Sequence, residues 1–332
     1  MTRRGARAVA RANIALAKYW GKSDDALNLP AVPSVSITLD PLTTETTVVF
    51  DDRLDEDRLQ LDGRPASPGE LRRVRALLDQ VRGLAGLSAR AEVESLNRFP
   101  TAAGLASSAS GFAALAAAAS TASGLPRDLA RESAIARQAS ASAARSTYGG
   151  FVELPAGEPG DAALAARPVA SADHWDLRVV VALTAKGPKA VGSRDAMGAS
   201  RLGSPYYTAW VDESRTLARQ VSDALQARDF AALAPAVERS FLAMHAVAMT
   251  SDPPILYWQP GSVAALRRVR ALREQEGLPV CATMDAGPHV KAVCLAEAAP
   301  TVAEALGRTD GVLDTLVTRP GPGGEVEPWE GP

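Results

Sequence analysis

The stretch NRFPTAAGLASSASG, residues 97–111, constrains the fold of this chain more than any other. Pro100 interrupts regular structure, Gly104 lets a backbone approach a ligand closely, and strong helix formers follow Ser107. Because a helix N-terminus carries partial positive charge and unpaired N–H donors, the stretch predicts a phosphate-binding loop that enters a helix. The Gly-Lys-Ser/Thr ending of the common P-loop is absent, so composition alone also fits a glycine-containing turn before a small-residue helix.

The composition is typical of a soluble globular protein large enough for two domains. The 332 residues are 46% hydrophobic and 22% charged, and the formal net charge is -2. Basic and acidic residues are interspersed, so no general field for nucleic acid or an anionic membrane is expected. The N-terminus lacks the apolar core of a signal peptide, and no apolar run approaches bilayer length. We therefore expect a cytoplasmic protein with no membrane partner.

Cysteines and histidines do not indicate a metal centre. Cys281 and Cys294 are too few for a disulfide framework and lack the spacing of a zinc site. The histidines are far apart in sequence and form no H-x-x-x-H pattern. No protein-held metal is expected, and any metal that acts should be magnesium arriving with a nucleotide.

The pattern of apolar residues predicts an α+β fold. Residues 34–39 and 43–50 alternate as half-buried strands do, whereas residues 69–84 carry apolar residues at helical spacing. A domain junction is predicted near residue 185, and the Pro/Gly-rich tail at 319–332 is expected to fray. Further strands are predicted at 91–97, 175–183, 280–284 and 290–295, and further helices at 107–123, up to 140, and at 205–226, 229–248 and 261–276.

Three stretches resemble one family. PTAAGLASSASGFAALA is close to the PxxxGLxSSA signature of the GHMP small-molecule kinases, and ANIALAKYWGK at 12–22 and TMDAGPHV at 283–290 match its mevalonate diphosphate decarboxylase branch in the same order. The resemblance implies a two-lobed fold. A ribosomal-protein-S5-like, ATP-binding lobe would occupy 1–185, a ferredoxin-like lobe 186–318, and the tail 319–332.

KYWGK places two lysines around two aromatic residues. Lys18 and Lys22 can offer two ammonium groups, and Tyr19 a hydroxyl, to one anionic ligand. Without the resemblance, a solvated lysine pair would be the simpler interpretation. In the family this block grips the phosphates of the substrate, and the matching positions here are Asn13, Lys18, Tyr19, Trp20, Gly21 and Lys22.

SASAAR presents two hydroxyls and a guanidinium. Arginine suits bidentate recognition of a carboxylate, although it could equally close a surface loop. The family pattern is GSGSACR, which implies that the serines hold phosphate and that Arg145 orients the substrate carboxylate. Alanines 139, 141 and 144 replace its two glycines and its cysteine, which reduces backbone freedom. The implied substrate contacts are Ser140, Ala141, Ser142, Ala143 and Ala144.

Asp285 lies in a tight turn between two predicted strands, where an Asp-x-Gly can be a plain turn or a functional carboxylate. The resemblance favours a catalytic carboxylate near a tertiary hydroxyl. His289 stands where the family has Asn, and Val32 and Pro33 replace a polar pair that is common in the family.

Weaker matches extend the implied site. Ser193, Arg194 and Arg73 would contact the substrate, and Ser95 and Asn97 would lie near the nucleotide. The loop itself would bind ATP through Thr101, Ala103, Gly104, Leu105, Ala106 and Ser108, with Ser107 acting alongside magnesium.

The implied reaction is ATP-dependent decarboxylation of mevalonate 5-diphosphate to isopentenyl diphosphate, with release of ADP, phosphate and CO2, in the mevalonate route of isoprenoid biosynthesis. Asp285, Arg145, Lys18 and Ser107 would be catalytic, and a homodimer is expected. The alternatives are a mevalonate 5-phosphate decarboxylase, a mevalonate 3-kinase, or an idle nucleotide-binding regulator. The presence of Asp285, Arg145 and Lys18 together argues against the last two.

Overall fold

The structure is a computed structural model that describes residues 3–99, 107–187, 189–329 and 331, with only the backbone of Ser107. Its described part has a mixed sheet of 12 strands and a separate two-stranded ribbon. The strands are β1 (Arg3–Ala17), β2 (Lys22–Asp24), β3 (Leu29–Pro30), β4 (Ser34–Asp51), β5 (Arg58–Leu61), β6 (Arg64–Pro65), β7 (Arg90–Asn97), β8 (Phe151–Leu154), β9 (Arg167–Ala170), β10 (Leu177–Leu183), β11 (Val280–Met284), β12 (Val290–Leu295), β13 (Asp314–Pro320) and β14 (Glu325–Trp329). The helices are α1 (Pro68–Ala85), α2 (Ser107–Ala122), α3 (Leu129–Ala139), α4 (Ala143–Ser146), α5 (Ser193–Gly203), α6 (Tyr207–Ala227), α7 (Phe230–Met249), α8 (Pro260–Glu274) and α9 (Ala299–Gly307).

The first half is built on β1 and β4. They pair antiparallel along most of their length, and β4 also pairs with β7. We predicted two strands at 34–39 and 43–50, but the structure has one continuous strand. Both segments keep their pairing with β1 because an irregularity between Arg11 and Asn13 absorbs the change of register.

The alanine-rich helix α2 packs on this sheet. Its buried alanines share one apolar cluster with Ala6, Ala8 and Ala10 of β1. Small side chains on both surfaces allow the helix to lie close to the strand. This packing positions the N-terminus of α2 beside β4 and β7, where polar side chains are found.

The second half has the ferredoxin-like topology. Its strands lie in the order β11-β12-β10-β13, and helices separate β10 from β11 and β12 from β13. The predicted α+β fold is therefore confirmed. Helices α5 and α9 were not predicted. The sequence of α5 is charged and contains glycine, which conceals a short buried face formed by Ala196, Met197 and Ser200.

The tail differs from our expectation of fraying. β13 pairs with both β10 and β4, and β14 pairs with β1. Arg11 Nη1 also donates to the Gly323 carbonyl over 3.1 Å. The free edge of β1 supplies backbone partners, so this Pro/Gly-rich segment is held in the sheet. The division into lobes at residue 185 stays a prediction. Among the described residues, none of the helices combines the length and the apolarity needed to cross a bilayer.

Candidate active site

An ion pair between a buried lysine and a part-exposed aspartate, whose side chain is 37% exposed, joins the two halves of the chain. Lys18 follows β1, and its side chain is 1% exposed. Its Nζ donates to Asp285 Oδ1 over 2.7 Å and to the Ala15 carbonyl over 2.8 Å. Burial lowers the pKa of Lys18 to about 8, although the Asp285 carboxylate opposes this shift. Both protonation states of Lys18 are therefore accessible near neutral pH.

Asp285 lies in the turn between β11 and β12 and has a second cationic partner. Lys291 Nζ of β12 is 3.4 Å from Asp285 Oδ2. Burial alone would raise the pKa of Asp285, but the ammonium groups of Lys18 and Lys291 outweigh it and hold the pKa well below its usual range. Asp285 is therefore a carboxylate at neutral pH, with an oxygen facing each lysine.

Arg145 of α4 lies in the same region. Its Nη1 donates to Ser34 Oγ over 2.5 Å, and its Nη2 donates to Asn13 Oδ1 over 3.3 Å. Among the described residues, its buried Nε has no hydrogen-bond partner. Burial lowers the pKa of Arg145 to about 10, with Asp285 opposing. The guanidinium is thus charged and fixed in orientation, and its buried Nε–H is left to donate to a ligand.

Asn13 ties Arg145 to the serine-containing segment. Its Nδ2 donates to Ser146 Oγ over 2.8 Å and to the Ser142 carbonyl over 3.0 Å. Ser140 Oγ and Ser142 Oγ lie 3.2 Å apart. The two hydroxyls that the sequence predicts to bind phosphate therefore lie together, and Asn13 connects their segment to the Arg145 guanidinium.

Two phenol hydroxyls and two cationic side chains lie around Gly21, and Lys22 is paired with Asp25 over 3.5 Å. Tyr19 Oη and Tyr207 Oη are buried and have no hydrogen-bond partner within the described part of the chain. Burial lowers the pKa of Lys22, and the nearby Arg194 adds to the effect. Burial raises the pKa of Tyr19, and the charge of Arg194 opposes that shift. Two cations and two unsatisfied phenols converge here, as a dense anion would require.

Gly21 itself is required by the geometry. Its φ is +106°, a conformation that side chains rarely adopt. A Cβ at this position would also lie 2.1 Å from Tyr207 Oη. Glycine therefore allows the KYWGK turn to pass directly beneath the Tyr207 hydroxyl.

A cleft of about 260 Å³ opens next to the N-terminus of α2. Apolar walls and a few convergent polar groups suit a heteroaromatic ligand. Arg73 lies in the cleft, with its guanidinium carbon 4.5 Å from the centre of the Phe112 ring and its Nη2 donating to the Ala139 carbonyl over 3.0 Å. The polar residues that line the cleft are Thr44, Thr46, Asp62, Arg64, Glu70, Arg73, Ser95, Asn97 and Ser108.

The structure brings Ser95, Asn97 and Ser108 together in this cleft, as a shared nucleotide site requires. Arg73, which we expected at the substrate, lines the same cleft, and Arg194 affects its pKa in addition to burial. The predicted loop residues Thr101, Ala103, Gly104, Leu105 and Ala106 and the Ser107 side chain lie outside the described residues.

Some predicted contacts have buried side chains. Trp20 is 2% exposed, and its Nε1 donates to Ser200 Oγ over 3.0 Å. Ala143 and Ala144 are fully buried, and Ala141 is nearly so. In this geometry the side chains of these residues serve packing, which leaves backbone groups for any contact with a substrate.

The alanine replacements fit the backbone. In the described residues, the positive φ angles outside glycine belong to Asn28, Asp62 and Arg228. None of them falls in 139–144, so this segment does not need the freedom of glycine. Val32 is fully buried in the cluster that contains Trp20, and His289 Nδ1 accepts from the Thr184 N–H over 3.1 Å. Val32 is therefore accommodated by packing and His289 by a hydrogen bond within the protein.

Sequence reasoning missed four polar residues near the site: Ser34, Lys189, Tyr207 and Lys291. Lys189 Nζ donates to Ser193 Oγ over 2.6 Å and to the Ala286 carbonyl over 3.0 Å. The one available signal was Lys291, a lone charge in the otherwise apolar VKAVCL. Within the described residues, no group of three or more His, Cys, Asp or Glu side chains could hold a metal ion.

Comparison with known proteins agrees with this geometry. The family model of the diphosphomevalonate decarboxylase-like N-terminal domain matches residues 10–165, and that of the mevalonate 5-diphosphate decarboxylase C-terminal domain matches residues 179–314. The human diphosphomevalonate decarboxylase is 39% identical over 298 residues, which are 83% of this chain and 73% of the human protein.

Two solved structures are similar over nearly their whole length. The mevalonate diphosphate decarboxylase of Staphylococcus aureus is 37% identical with a TM-score of 0.93, covering 98% of both chains. MDDEF in complex with MVAPP, AMPPCP and magnesium is 38% identical with a TM-score of 0.91, covering 98% of this chain and 99% of that one. The fold and the site define an enzyme of the GHMP kinase superfamily. Within it, this chain belongs to the diphosphomevalonate decarboxylase family.

Proposed function

We propose that this chain catalyses the ATP-dependent decarboxylation of mevalonate 5-diphosphate to isopentenyl diphosphate, with release of ADP, phosphate and CO2. The observation that carries the proposal is the meeting of the buried Lys18 and Arg145 with the part-exposed Asp285, from three distant parts of the sequence, at one site. A substrate with a hydroxyl, a carboxylate and a diphosphate matches the three groups of side chains around this site.

Asp285 and Lys18 would act on the C3 hydroxyl. Asp285 accepts a hydrogen bond from the hydroxyl and orients its oxygen for phosphoryl transfer. The two lysines keep the Asp285 carboxylate weakly basic. Asp285 therefore takes up the proton of the C3 hydroxyl only as the hydroxyl oxygen forms its bond to phosphorus. The ammonium of Lys18 stabilises the negative charge that develops beside it.

Arg145 would hold the substrate carboxylate. Once phosphate leaves C3 with the electron pair of the C–O bond, C3 becomes cationic. The C–C bond to the carboxylate then breaks, its electron pair forms the alkene, and CO2 departs. A guanidinium fixed by Ser34 and Asn13 keeps that bond aligned with the empty orbital.

The cleft beside α2 fits a nucleotide. It combines apolar walls with Ser95, Asn97 and Ser108, and it borders the N-terminus of a 16-residue helix. ATP bound there supplies the phosphoryl group, and magnesium arrives on its phosphates. The loop residues 101–106 with Ser107 are proposed to hold the triphosphate, and the Ser107 hydroxyl is proposed to contact the magnesium and the transferring phosphate.

A coupled assay of ADP release and CO2 release on mevalonate, its 5-phosphate and its 5-diphosphate tests the function. We expect equimolar ADP and CO2 with the diphosphate. ADP without CO2 would instead identify a 3-kinase. No turnover of any of the three would support the idle regulator.

We expect the diphosphate to have a kcat/KM roughly tenfold to a hundredfold above that of the monophosphate. Tyr19, Lys22, Arg194 and the two serines offer more donors than one phosphate can use. A donor left unused in a partly desolvated cleft costs about 1–3 kcal/mol. Arg194→Ala should narrow this ratio by affecting the diphosphate more, while the exposed Arg219→Ala should leave it unchanged. Equal use of both substrates by the unmutated enzyme would favour a monophosphate decarboxylase.

We expect kcat/KM to fall as the pH rises through about 8. The pKa of Lys18 is lowered to about 8, so its ammonium is present below that pH and is lost as the pH rises through it. Since the pKa of Asp285 is well below its usual range, its ionisation should not limit activity near neutral pH. In Lys18→Arg, whose guanidinium stays charged, the limb should move to higher pH. A limb unchanged in that variant would assign it to another group.

We also propose a cytoplasmic homodimer. Cys281 and Cys294 are buried free thiols, which agrees with a reducing compartment. Leu202, Tyr206 and Leu256 are 85%, 57% and 67% exposed, and a dimer interface would have to cover such side chains if it lies on this part of the surface. Sedimentation equilibrium should give about twice the 34.6 kDa chain mass, and a mass of one chain would exclude the dimer.

A further inference from the structure

Lys291 is a buried charged residue that contacts Asp285 and that the proposed reaction does not yet use. It lies on β12, opposite Thr283 of β11 and Val181 of β10, inside the sheet. Its side chain is 1% exposed, and within the described residues its ion-pair partner is Asp285. The ammonium group therefore reaches the active site from below the turn that carries Asp285.

Stability does not explain this lysine. Removing an ammonium from water has a large free-energy cost, and an ion pair at 3.4 Å offsets only part of that cost. A methionine of similar length would fill the same space without a charge to desolvate. Three other cationic residues, Lys18, Lys189 and Arg145, already act on the charge of Asp285, so neutralising the carboxylate does not require a further one.

We propose that Lys291 is a positioning residue that acts on the substrate hydroxyl through Asp285. Lys18 holds Oδ1 and Lys291 faces Oδ2, so the two contacts together fix the rotation of the carboxylate about its Cβ–Cγ bond. With Lys18 alone the carboxylate turns about a single contact, and the angle it presents to the hydroxyl varies. This inference rests on the proposed function.

Lys291 also lowers the pKa of its neighbours Asp285 and Lys18. Removing it takes one positive charge away from both Asp285 and Lys18, which raises the pKa of each. Burial lowers the pKa of the adjacent His245 to about 3, so His245 is neutral at the pH values where Lys18 titrates. The groups that face Asp285 are Lys18 after β1, Arg145 on α4, Lys189 after β10, His245 on α7 and Lys291 on β12.

The test compares Lys291→Met, Lys291→Gln and Lys291→Arg with the exposed control Lys186→Met, using ADP and CO2 release from mevalonate 5-diphosphate. We expect Lys291→Met to lower kcat roughly tenfold to a hundredfold with little change in KM, since a small misplacement of a reacting group has effects of this size. Lys291→Arg should recover most of the loss. The alkaline limb should shift to higher pH in both neutral variants, which a purely structural role would not produce. Lys291→Gln provides the same readouts if the methionine variant does not fold.

A double-mutant cycle completes the test. Because Lys291 acts through Asp285, Lys291→Met should cost nothing further in the Asp285→Asn background. Normal kcat in both neutral variants, an unmoved alkaline limb, or an equal loss in the Asp285→Asn background would overturn the inference. Failure of the unmutated enzyme to release CO2 would instead reject the proposed function, and the inference with it.

Discussion

Asp285→Asn is expected to lower kcat by roughly 10²- to 10⁴-fold while ATP and mevalonate 5-diphosphate still bind. Asparagine keeps the shape of the side chain but removes the charged acceptor and offers a donor to Lys18. The hydroxyl then loses its acceptor in the transition state, so the loss should appear in kcat more than in KM. Single-turnover measurement of ADP formation reports the step directly.

The control for this change is Asp310→Asn, which makes the same substitution at an exposed position. Circular dichroism and thermal melts should show that both variants fold. Nucleotide titration should show that the cleft beside α2 is intact in Asp285→Asn. This cleft is lined by residues of β4, β7 and α2, among others, and not by the β11–β12 turn. Turnover within a few-fold of the unmutated enzyme would remove Asp285 from the mechanism.

Arg145→Lys is expected to lower kcat/KM by roughly 10²- to 10³-fold, comparable to the loss of one preorganised donor in a water-excluded site. Lysine keeps the positive charge but loses the planar fork that binds Ser34, Asn13 and a carboxylate at once. The decarboxylation step should suffer more than phosphoryl transfer. We therefore expect ADP release to exceed CO2 release in this variant, whereas the two should be equal in the unmutated enzyme.

Arg219→Lys on the exposed face of α6 is the matched control, and it should be indistinguishable from the unmutated enzyme. The ratio of CO2 to ADP is the decisive measurement, because a general loss of structure lowers both products equally. A ratio that stays at one while both rates fall would show that Arg145 supports the fold of the site rather than the carboxylate.

Local patterns in the sequence determined much of the fold. The helical spacing at 69–84 became α1, the apolar runs at 280–284 and 290–295 became β11 and β12, and the alanine-rich run became α2. These elements depend on propensity and periodicity over a few residues, so they can be predicted without tertiary contacts. The motif blocks likewise predicted that Lys18, Arg145 and Asp285 would share a site, and the structure brings them together.

The tertiary structure alone decided which of these residues are charged and how they are oriented. The pKa of Lys18 depends on burial by α7 and on Asp285, which lies 267 positions away. Arg73 lines the cleft because α1 packs against the end of α3, and the tail is ordered because β1 has a free edge. Lys291 faces Asp285 because the turn between two paired strands folds back over β12. Such contacts depend on long-range packing and register, and no local stretch of the sequence contains that information.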